Sequence, residues 1–414
     1  MIGDIIKPIR TCEVCYSDLN GPSLDLGRHP LCDDLVKIGS LRKAKNYRQK
    51  VTLCTQCLTV HQLYPVAKEE LFQPNYHYRA ALTKDVLSGM SDLVDITLKR
   101  VGHRSDRPLK ILDVGCNDGS LLKIFKQNCS CVTVGVDPTN AITEQQHVID
   151  YPINSYFNAE VSAQILADVG QPDIITFTNV FAHIEDLPSL LISLKLLVGP
   201  DTHVVIENHY LGSIVEKTQF DTFYHEHPRT YSLNSFSHIA KRLGLKLSWV
   251  DFPHRYNGNI RVHLTSSDFE CHNLEVLLHG EYHILEKFIA LQSLFNKWQE
   301  NSSSVVEKLT ASGWIVGKGM PGRAVMLVSS LELSDAVMPR VYEQPFSPKV
   351  GCYVPGTKIE IVSDELLLQD RDSELVLWAW HIPQEVVPYI RKLGFNGNIW
   401  TPLPEFVLIS SSSE

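Results

Sequence analysis

No apolar run in this 414-residue chain approaches the roughly 20 residues needed to span a bilayer, so a helical membrane protein is excluded. The chain also lacks a basic excess. Its formal net charge of -9 leaves no cationic face on which a general nucleic-acid binder could neutralise phosphates. The start, MIGDIIKPIRTC, has no basic region, apolar core or small-residue cleavage site of the kind a signal peptide needs, so a cytoplasmic protein is expected. Neither nucleic acid nor membrane is expected as a partner. What is present, 44% hydrophobic and 21% charged residues, describes a soluble globular chain too long for one ordinary core. Two or three domains are expected.

The ten cysteines are too dispersed for the disulfide framework of a small secreted domain. Cys32, Cys116, Cys129, Cys131, Cys271 and Cys352 stand alone and read as small buried apolar side chains. The other four form two CxxC pairs, Cys12 with Cys15 and Cys54 with Cys57, separated by about 38 residues. Two such turns supply the four sulfurs of a tetrahedral zinc site, and a site filled by four thiolates has no open position, which makes the metal structural. Two redox or core pairs are the alternative, and His29 or His61 could replace a cysteine, although the four sulfurs are better spaced. Between the pairs, residues 24 to 36 alternate apolar positions and residues 45 to 54 read as a strand. After them comes the cluster Tyr76, His77, Tyr78, either packing at a domain boundary or a wall of an active site, and then a helix to about Val101.

ILDVGCNDGS, residues 111 to 120, reads as a buried strand entering a glycine-bearing turn and a helix. Gly115 and Gly119 permit positive φ and close backbone approach to a ligand at the carboxyl end of a parallel strand. A second strand, Val132 to Val136, ends in Asp137, placed to accept hydrogen bonds from two ribose hydroxyls. A dinucleotide fingerprint is absent, because Asn117 replaces the middle glycine and Asp113 and Asp118 repel a pyrophosphate. The loop instead resembles motif I of the S-adenosylmethionine (SAM) methyltransferases, D/E-x-G-x-x-x-G. An ordinary strand, turn and helix of another doubly wound domain is the alternative.

Residues 107 to 250 alternate apolar strands and helices, the pattern of a parallel sheet. Asp173 to Phe177 is the fourth strand, with Asn179 and Phe181 at its tip and His183 beyond, and residues 202 to 212 form another strand ending in Glu207 and Asn208. These polar residues fall where open α/β sheets bind ligands. In FDTFYHEHPRTYSLNSF, residues 220 to 236, Tyr224, His225, Glu226 and His227 crowd together, with Tyr231 beyond. A histidine beside a carboxylate suits general-base work. A metal site or a structural histidine cluster is the alternative, although HEH spaces its imidazoles by two residues where a helical zincin needs four.

Together the paired cysteines, NDG and YHEH resemble the C-methyltransferases that act on nucleotide-linked 4-keto-6-deoxyhexoses. That resemblance implies that His227 removes the C3 proton of the ketosugar and that the enolate attacks the SAM methyl. It places Tyr224, Glu226, His183 and Tyr76 around the sugar, with Tyr224 or His183 donating to the enolate oxygen. It implies SAM contacts at Asp113, Gly115, Asn117, Asp118, Gly119, Asp137 and Asn179. HRYNGNIRVHLTSS, residues 254 to 267, is similar to the family's HGGSxR element, which puts Arg261 opposite a phosphate and aligns His254. WIVGKGMPGRAVMLVSS, residues 314 to 330, resembles the family's YGAPAKG turn, with Lys318 for its tyrosine and Arg323 for its lysine. Backbone amides there, with Lys318 and Arg323, would suit a diphosphate.

The expected fold is α/β in three parts: a small N-terminal zinc-binding module (1–72), a central Rossmann-like SAM methyltransferase domain (73–250), and a second Rossmann-like α/β domain holding the nucleotide sugar (251–414). SAM and a structural Zn2+ are the expected cofactors. A dTDP- or GDP-linked ketosugar is the expected substrate, and a monomer or weak homodimer the expected state. An O- or N-methyltransferase of another small metabolite and a non-catalytic zinc- and SAM-binding scaffold are the competing functions.

Overall fold

A computed structural model describes residues 8–72, 84–102, 107–144, 148–267, 271, 273–311 and 313–411. Ile111, Leu112, Val114, Val134, Val136, Ile174, Ile175, Phe177, Val204, Val205 and Ile206 are buried on strands covered from both faces, the near-continuous apolar pattern of a parallel sheet. That sheet has seven strands in the spatial order Lys246–Asp251, Asn259–Thr265, His203–His209, Ile174–Thr178, Leu109–Val114, Cys131–Val136, Tyr151–Ile153. Asn259–Thr265 runs antiparallel to both its neighbours, and the other contacts are parallel. The chain winds outward from Leu109–Val114 in one direction and then in the other. The point of reversal therefore lies between that strand and Ile174–Thr178, the usual place for a ligand.

The boundary expected at residue 250 does not coincide with the end of this sheet. Asn259–Thr265 pairs with His203–His209 over six residues, so the segment after residue 250 lends a strand to the central sheet. The buried carboxylate of Glu207 fixes this insertion. Its oxygens accept from Arg261 Nε at 2.8 Å, Asn259 Nδ2 at 2.9 Å and Arg255 Nη1 at 3.1 Å.

The flanking units interlock with the central one. The N-terminal sheet is ordered Ser23–Pro30, Asn46–Leu53, Val60–Gln62, Arg229–Thr230, so its last strand comes from just after the YHEH segment. The C-terminal sheet holds five parallel strands, ordered Ile399–Thr401, Glu374–Leu377, Ile315–Lys318, Arg340–Glu343, Glu360–Ser363. Its far edge is Val36–Lys37 of the N-terminal module, paired with Cys352–Tyr353.

The long amphipathic stretch expected from Leu274 to about Leu309 is broken once. A short helix, Leu274–His279, passes through a 3-10 turn, Gly280–Tyr282, into the 28-residue helix His283–Thr310. Ile284, Phe288, Leu291, Phe295, Trp298, Ser302 and Val306 form its buried stripe at three- and four-residue spacing. The stripe packs on Phe220 and Phe223, immediately before YHEH. Among the described residues no helix is long and apolar enough to cross a membrane.

Candidate active site and metal centre

The loop after Leu109–Val114 is built around backbone that only small or polar residues adopt readily. Gly115, Asn117 and Gly119 have φ of 72°, 50° and 76°. A Cβ on Gly115 would come within 2.5 Å of Val180, so the two loops at the reversal point touch. Asp137 follows Cys131–Val136 and is buried; its carboxylate accepts from the Asn117 amide at 2.9 Å and from Thr139 N at 2.8 Å. It thereby fixes the loop while keeping lone-pair capacity for a ribose. Asp118 accepts from Ser120 N and Oγ at 3.1 and 2.6 Å, tying the loop to the first residue of the helix Ser120–Asn128. Asp113 accepts from Thr176 across the sheet, and burial together with the Asp137 charge raises its carboxyl to about 7.

Asn179, at φ 54°, follows Ile174–Thr178 and contacts Asn259. Nearby, Thr178 Oγ1 and both amide atoms of Asn208 are buried without a partner among the described residues. Buried polar atoms are rarely left unsatisfied, so these carboxyl-end groups fit a polar ligand such as SAM. Asp137→Ala is expected to raise the KM for SAM about 10-fold or more, since it removes a charged acceptor and the anchor of the loop. The KM for the methyl acceptor should stay within about twofold. Steady-state kinetics with each substrate varied in turn checks this.

Four histidine and tyrosine rings converge beside that pocket. The His227 ring lies 4.8 Å from His183, 5.2 Å from His209 and 4.4 Å from Tyr224, centroid to centroid. His227 Nδ1 is 2.9 Å from the Thr222 carbonyl, which can only accept, so Nδ1 carries the proton and Nε2 keeps a lone pair. His183 Nδ1 donates in the same way to the Glu226 carbonyl at 2.8 Å. Burial, reinforced by the neighbouring His183 and His209, holds His227 well below the usual imidazole range. Burial pushes the Tyr224 hydroxyl well up, keeping it a donor. Glu226 accepts from the Cys32 thiol at 2.7 Å.

The YHEH segment is held from outside by the N-terminal module. Gln49 and Gln62 donate to the carbonyls of Phe223 and Tyr224, each at 2.6 Å. His225 turns away from the cluster toward Tyr47, so HEH does not gather a metal. Among the described residues only the four paired cysteines make a potential metal cluster. Tyr76 lies outside the described residues. His209 and Cys32 belong to the cluster but are not evident in the sequence. His209 is masked by a strand whose acidic residues draw attention first, and Cys32 sits in a stretch whose apolar alternation suggests only a core thiol.

Burial gives these histidines a collective effect on stability. His29, His183, His209, His225, His227, His263 and His381 are all depressed from 6.5, chiefly by burial, with His183 and His225 at about 4 and His263 and His381 at about 3. Each takes up a proton near pH 6.5 in the unfolded chain and refuses it when folded. The unfolded state therefore binds more protons as pH falls, and stability drops. Asp113 works the other way, because its raised pKa lets the folded state bind a proton first. Each depressed histidine contributes up to about 1.4 kcal/mol per pH unit below 6.5, so the loss should be several kcal/mol between about pH 6.5 and 5. Denaturant midpoints followed from pH 7.5 to 5 test this; a flat profile would contradict it.

The cations expected at a diphosphate are each engaged by carboxylates. Arg261 is fully buried and bonded to Glu207 and, at 2.9 Å, to Asp92. Lys318 Nζ is 2.7 Å from Asp364, and Arg323 grips Asp221 with two bonds of 2.8 and 2.6 Å. His254 is exposed and lines a cavity of about 670 Å³ between the central and C-terminal units, together with Lys217, Arg255, Trp380 and His381.

The cysteine pairs meet as spacing implies. Cys12 Sγ lies 3.5 Å from Cys57 Sγ and Cys15 Sγ 3.6 Å from Cys54 Sγ, close to the sulfur separations of a tetrahedral zinc with Zn–S of about 2.3 Å. All four sulfurs lie within 4.8 Å of one another. His61 does not join them; its Nε2 approaches Cys12 Sγ at 3.3 Å as a donor from outside. His29 lies against the Leu26 carbonyl instead. The cluster docks on the central unit through the Cys57 carbonyl, which accepts from Ser232 and Ser235 at the start of the helix Leu233–Leu243.

Three family models match successive parts of the chain. They are described as "Putative zinc binding domain" over residues 12–72, "Methyltransferase domain" over 87–248 and "C-methyltransferase C-terminal domain" over 258–404. The C-methyltransferase NovU of Streptomyces niveus is 26% identical over 425 residues, an alignment covering 99% of either protein. Among solved structures, the magnesium protoporphyrin IX methyltransferase of Synechocystis PCC 6803 with bound SAM is 15% identical, over 47% of this chain and 87% of its own, with a TM-score of 0.33. The PH0226 protein of Pyrococcus horikoshii OT3 is 12% identical, over 48% and 98%, with a TM-score of 0.35.

Proposed function

Since the chain belongs to the SAM-dependent C-methyltransferases that join a zinc-binding domain to a methyltransferase domain and a C-methyltransferase C-terminal domain, we propose that it C-methylates a nucleotide-linked 4-keto-6-deoxyhexose at C3. The observation that carries this reading is the tautomer of His227. With Nδ1–H held by the Thr222 carbonyl, Nε2 presents a lone pair to a substrate proton. A proton next to a ketone is a weak acid, so the base must work together with a donor to the developing enolate oxygen. Tyr224 flanks the His227 ring and, kept protonated by burial, suits that second task, whereas His183 has its single N–H committed to the Glu226 carbonyl and retains only a lone pair at Nε2.

Bound SAM supplies an electrophilic methyl group. Asp137, Asn179 and Asn208 would hold SAM, and the chain's own part is to set the acceptor against His227 and orient it for attack on that methyl. His227 takes the C3 proton at Nε2 and later releases it to solvent. The 670 Å³ cavity, bordered by His254, Lys217 and Trp380, offers room for the nucleotide end. A purified-enzyme assay with dTDP- and GDP-linked 4-keto-6-deoxyhexoses and SAM, read by mass spectrometry, tests the reading. Gain of one methyl on carbon supports it. No methylated sugar from either nucleotide series, or a methyl on oxygen, would overturn the substrate class or the chemistry.

A further inference from the structure

Arg323, on the glycine-bearing turn between Ile315–Lys318 and Ala324–Ser330, reaches out of the C-terminal unit into the central one. Its target is the 3-10 turn Phe220–Thr222, just before YHEH. Nε donates to Asp221 Oδ2 at 2.8 Å, and Nη2 donates to Asp221 Oδ1 at 2.6 Å, Thr222 Oγ1 at 2.9 Å and Gln219 Oε1 at 3.2 Å. Trp380 completes the grip: its indole N–H donates to Asp221 Oδ2 at 2.9 Å, and the guanidinium lies over its ring at 4.8 Å. Asp221 is fully buried and Arg323 is 6% exposed, so neither can exchange its partner for water.

The same Thr222 whose hydroxyl accepts from Arg323 offers its carbonyl to His227 Nδ1 at 2.9 Å. An imidazole facing a carbonyl must present N–H, because two lone pairs repel. The direction of that carbonyl therefore selects the His227 tautomer, and the direction of the carbonyl depends on how the turn is held. We propose that Arg323 is a positioning residue for the reaction, clamping the Gln219–Thr222 turn from the C-terminal unit so that His227 keeps Nδ1 protonated and Nε2 as the base. This rests on the proposed role of His227. It gives Arg323 a role beside the diphosphate contact suggested by sequence: Nε and Nη2 are committed to the Gln219–Thr222 turn, while Nη1 is buried without a partner among the described residues. Lysine cannot reproduce the grip, since a point ammonium does not span Asp221 and Thr222 with the geometry of a planar fork.

The test uses the full chain labelled with 15N-histidine, as wild type, Arg323→Lys and Thr222→Val. In wild type the His227 ring should show the pattern of an Nδ1-protonated neutral imidazole. Arg323→Lys should add the Nε2-protonated form and lower kcat for methyl transfer about 10- to 100-fold, the scale of a small misplacement of a reacting group. The KM values for SAM and for the ketosugar should remain within about twofold. Thr222→Val, which loses the accepting hydroxyl but keeps the carbonyl, should move both readouts in the same direction, and it carries the test if Arg323→Lys fails to fold. An unchanged His227 tautomer in the folded variants would overturn the proposal, as would an unchanged kcat with a raised ketosugar KM. If wild type methylates none of the ketosugars, the substrate reading fails, while the tautomer measurement still decides the positioning role.

Discussion

His227→Ala is expected to lower methyl transfer by about 10²- to 10⁴-fold, the range a positioned general base contributes, with the KM for SAM nearly unchanged. The expectation follows from three features. The Nδ1–H bond to Thr222 leaves Nε2 as the basic atom. The ring is only 4% exposed, so bulk water is a poor substitute. Its depressed pKa keeps it unprotonated at neutral pH. His227→Gln should fare little better, since an amide nitrogen is no base at pH 7. By contrast, His225→Ala should retain most of the activity despite lying two residues away, because its ring packs on Tyr47 outside the cluster. Comparing kcat and both KM values for the three variants distinguishes loss of the base from loss of the fold.

Stripping the metal is expected to be as damaging by a different route. Structural zinc in finger peptides contributes on the order of 10–16 kcal/mol of apparent binding free energy, which is folding free energy there. In this chain the cysteine cluster organises a sheet that includes Arg229–Thr230 and supports the amides of Gln49 and Gln62 on YHEH. Arg229 itself is fully buried and paired with Glu13, between Cys12 and Cys15. Cys54→Ser, or a strong chelator at elevated temperature, should therefore lower thermal stability by several kcal/mol and abolish methyl transfer together with it. Metal analysis alongside thermal unfolding checks this. Full stability after complete metal loss would contradict a structural ion.

Much of this could be read from sequence, because local signals carried it. The NDG loop, the acid ending the next strand and the two CxxC turns each depend on residues close together in the chain, and their backbone requirements restrict residue type. The strand Cys131–Val136 and the helix Lys84–Val101 lie close to where apolar periodicity puts them. Long-range pairing was not legible. Nothing local announces that Asn259–Thr265 inserts into the central sheet, or that Val36–Lys37 edges the C-terminal one. The partners of the cations were not legible for the same reason: Arg261, Lys318 and Arg323 are held by Glu207, Asp364 and Asp221, all distant in sequence. Asp221 is only three residues from Tyr224, yet its partner lies 102 positions away.

The most direct test of the central claim is hydrogen exchange at the carbon beside the ketone, measured in deuterated water with SAM omitted. Mass spectrometry of the recovered nucleotide-linked 4-keto-6-deoxyhexose would show one deuterium gained at C3 with wild type and essentially none with His227→Ala. That result would place proton removal on His227 ahead of methyl transfer. Equal exchange by both proteins would contradict the assignment of the base, and methylation by wild type without any C3 exchange or C3 proton loss would contradict the enolate route itself.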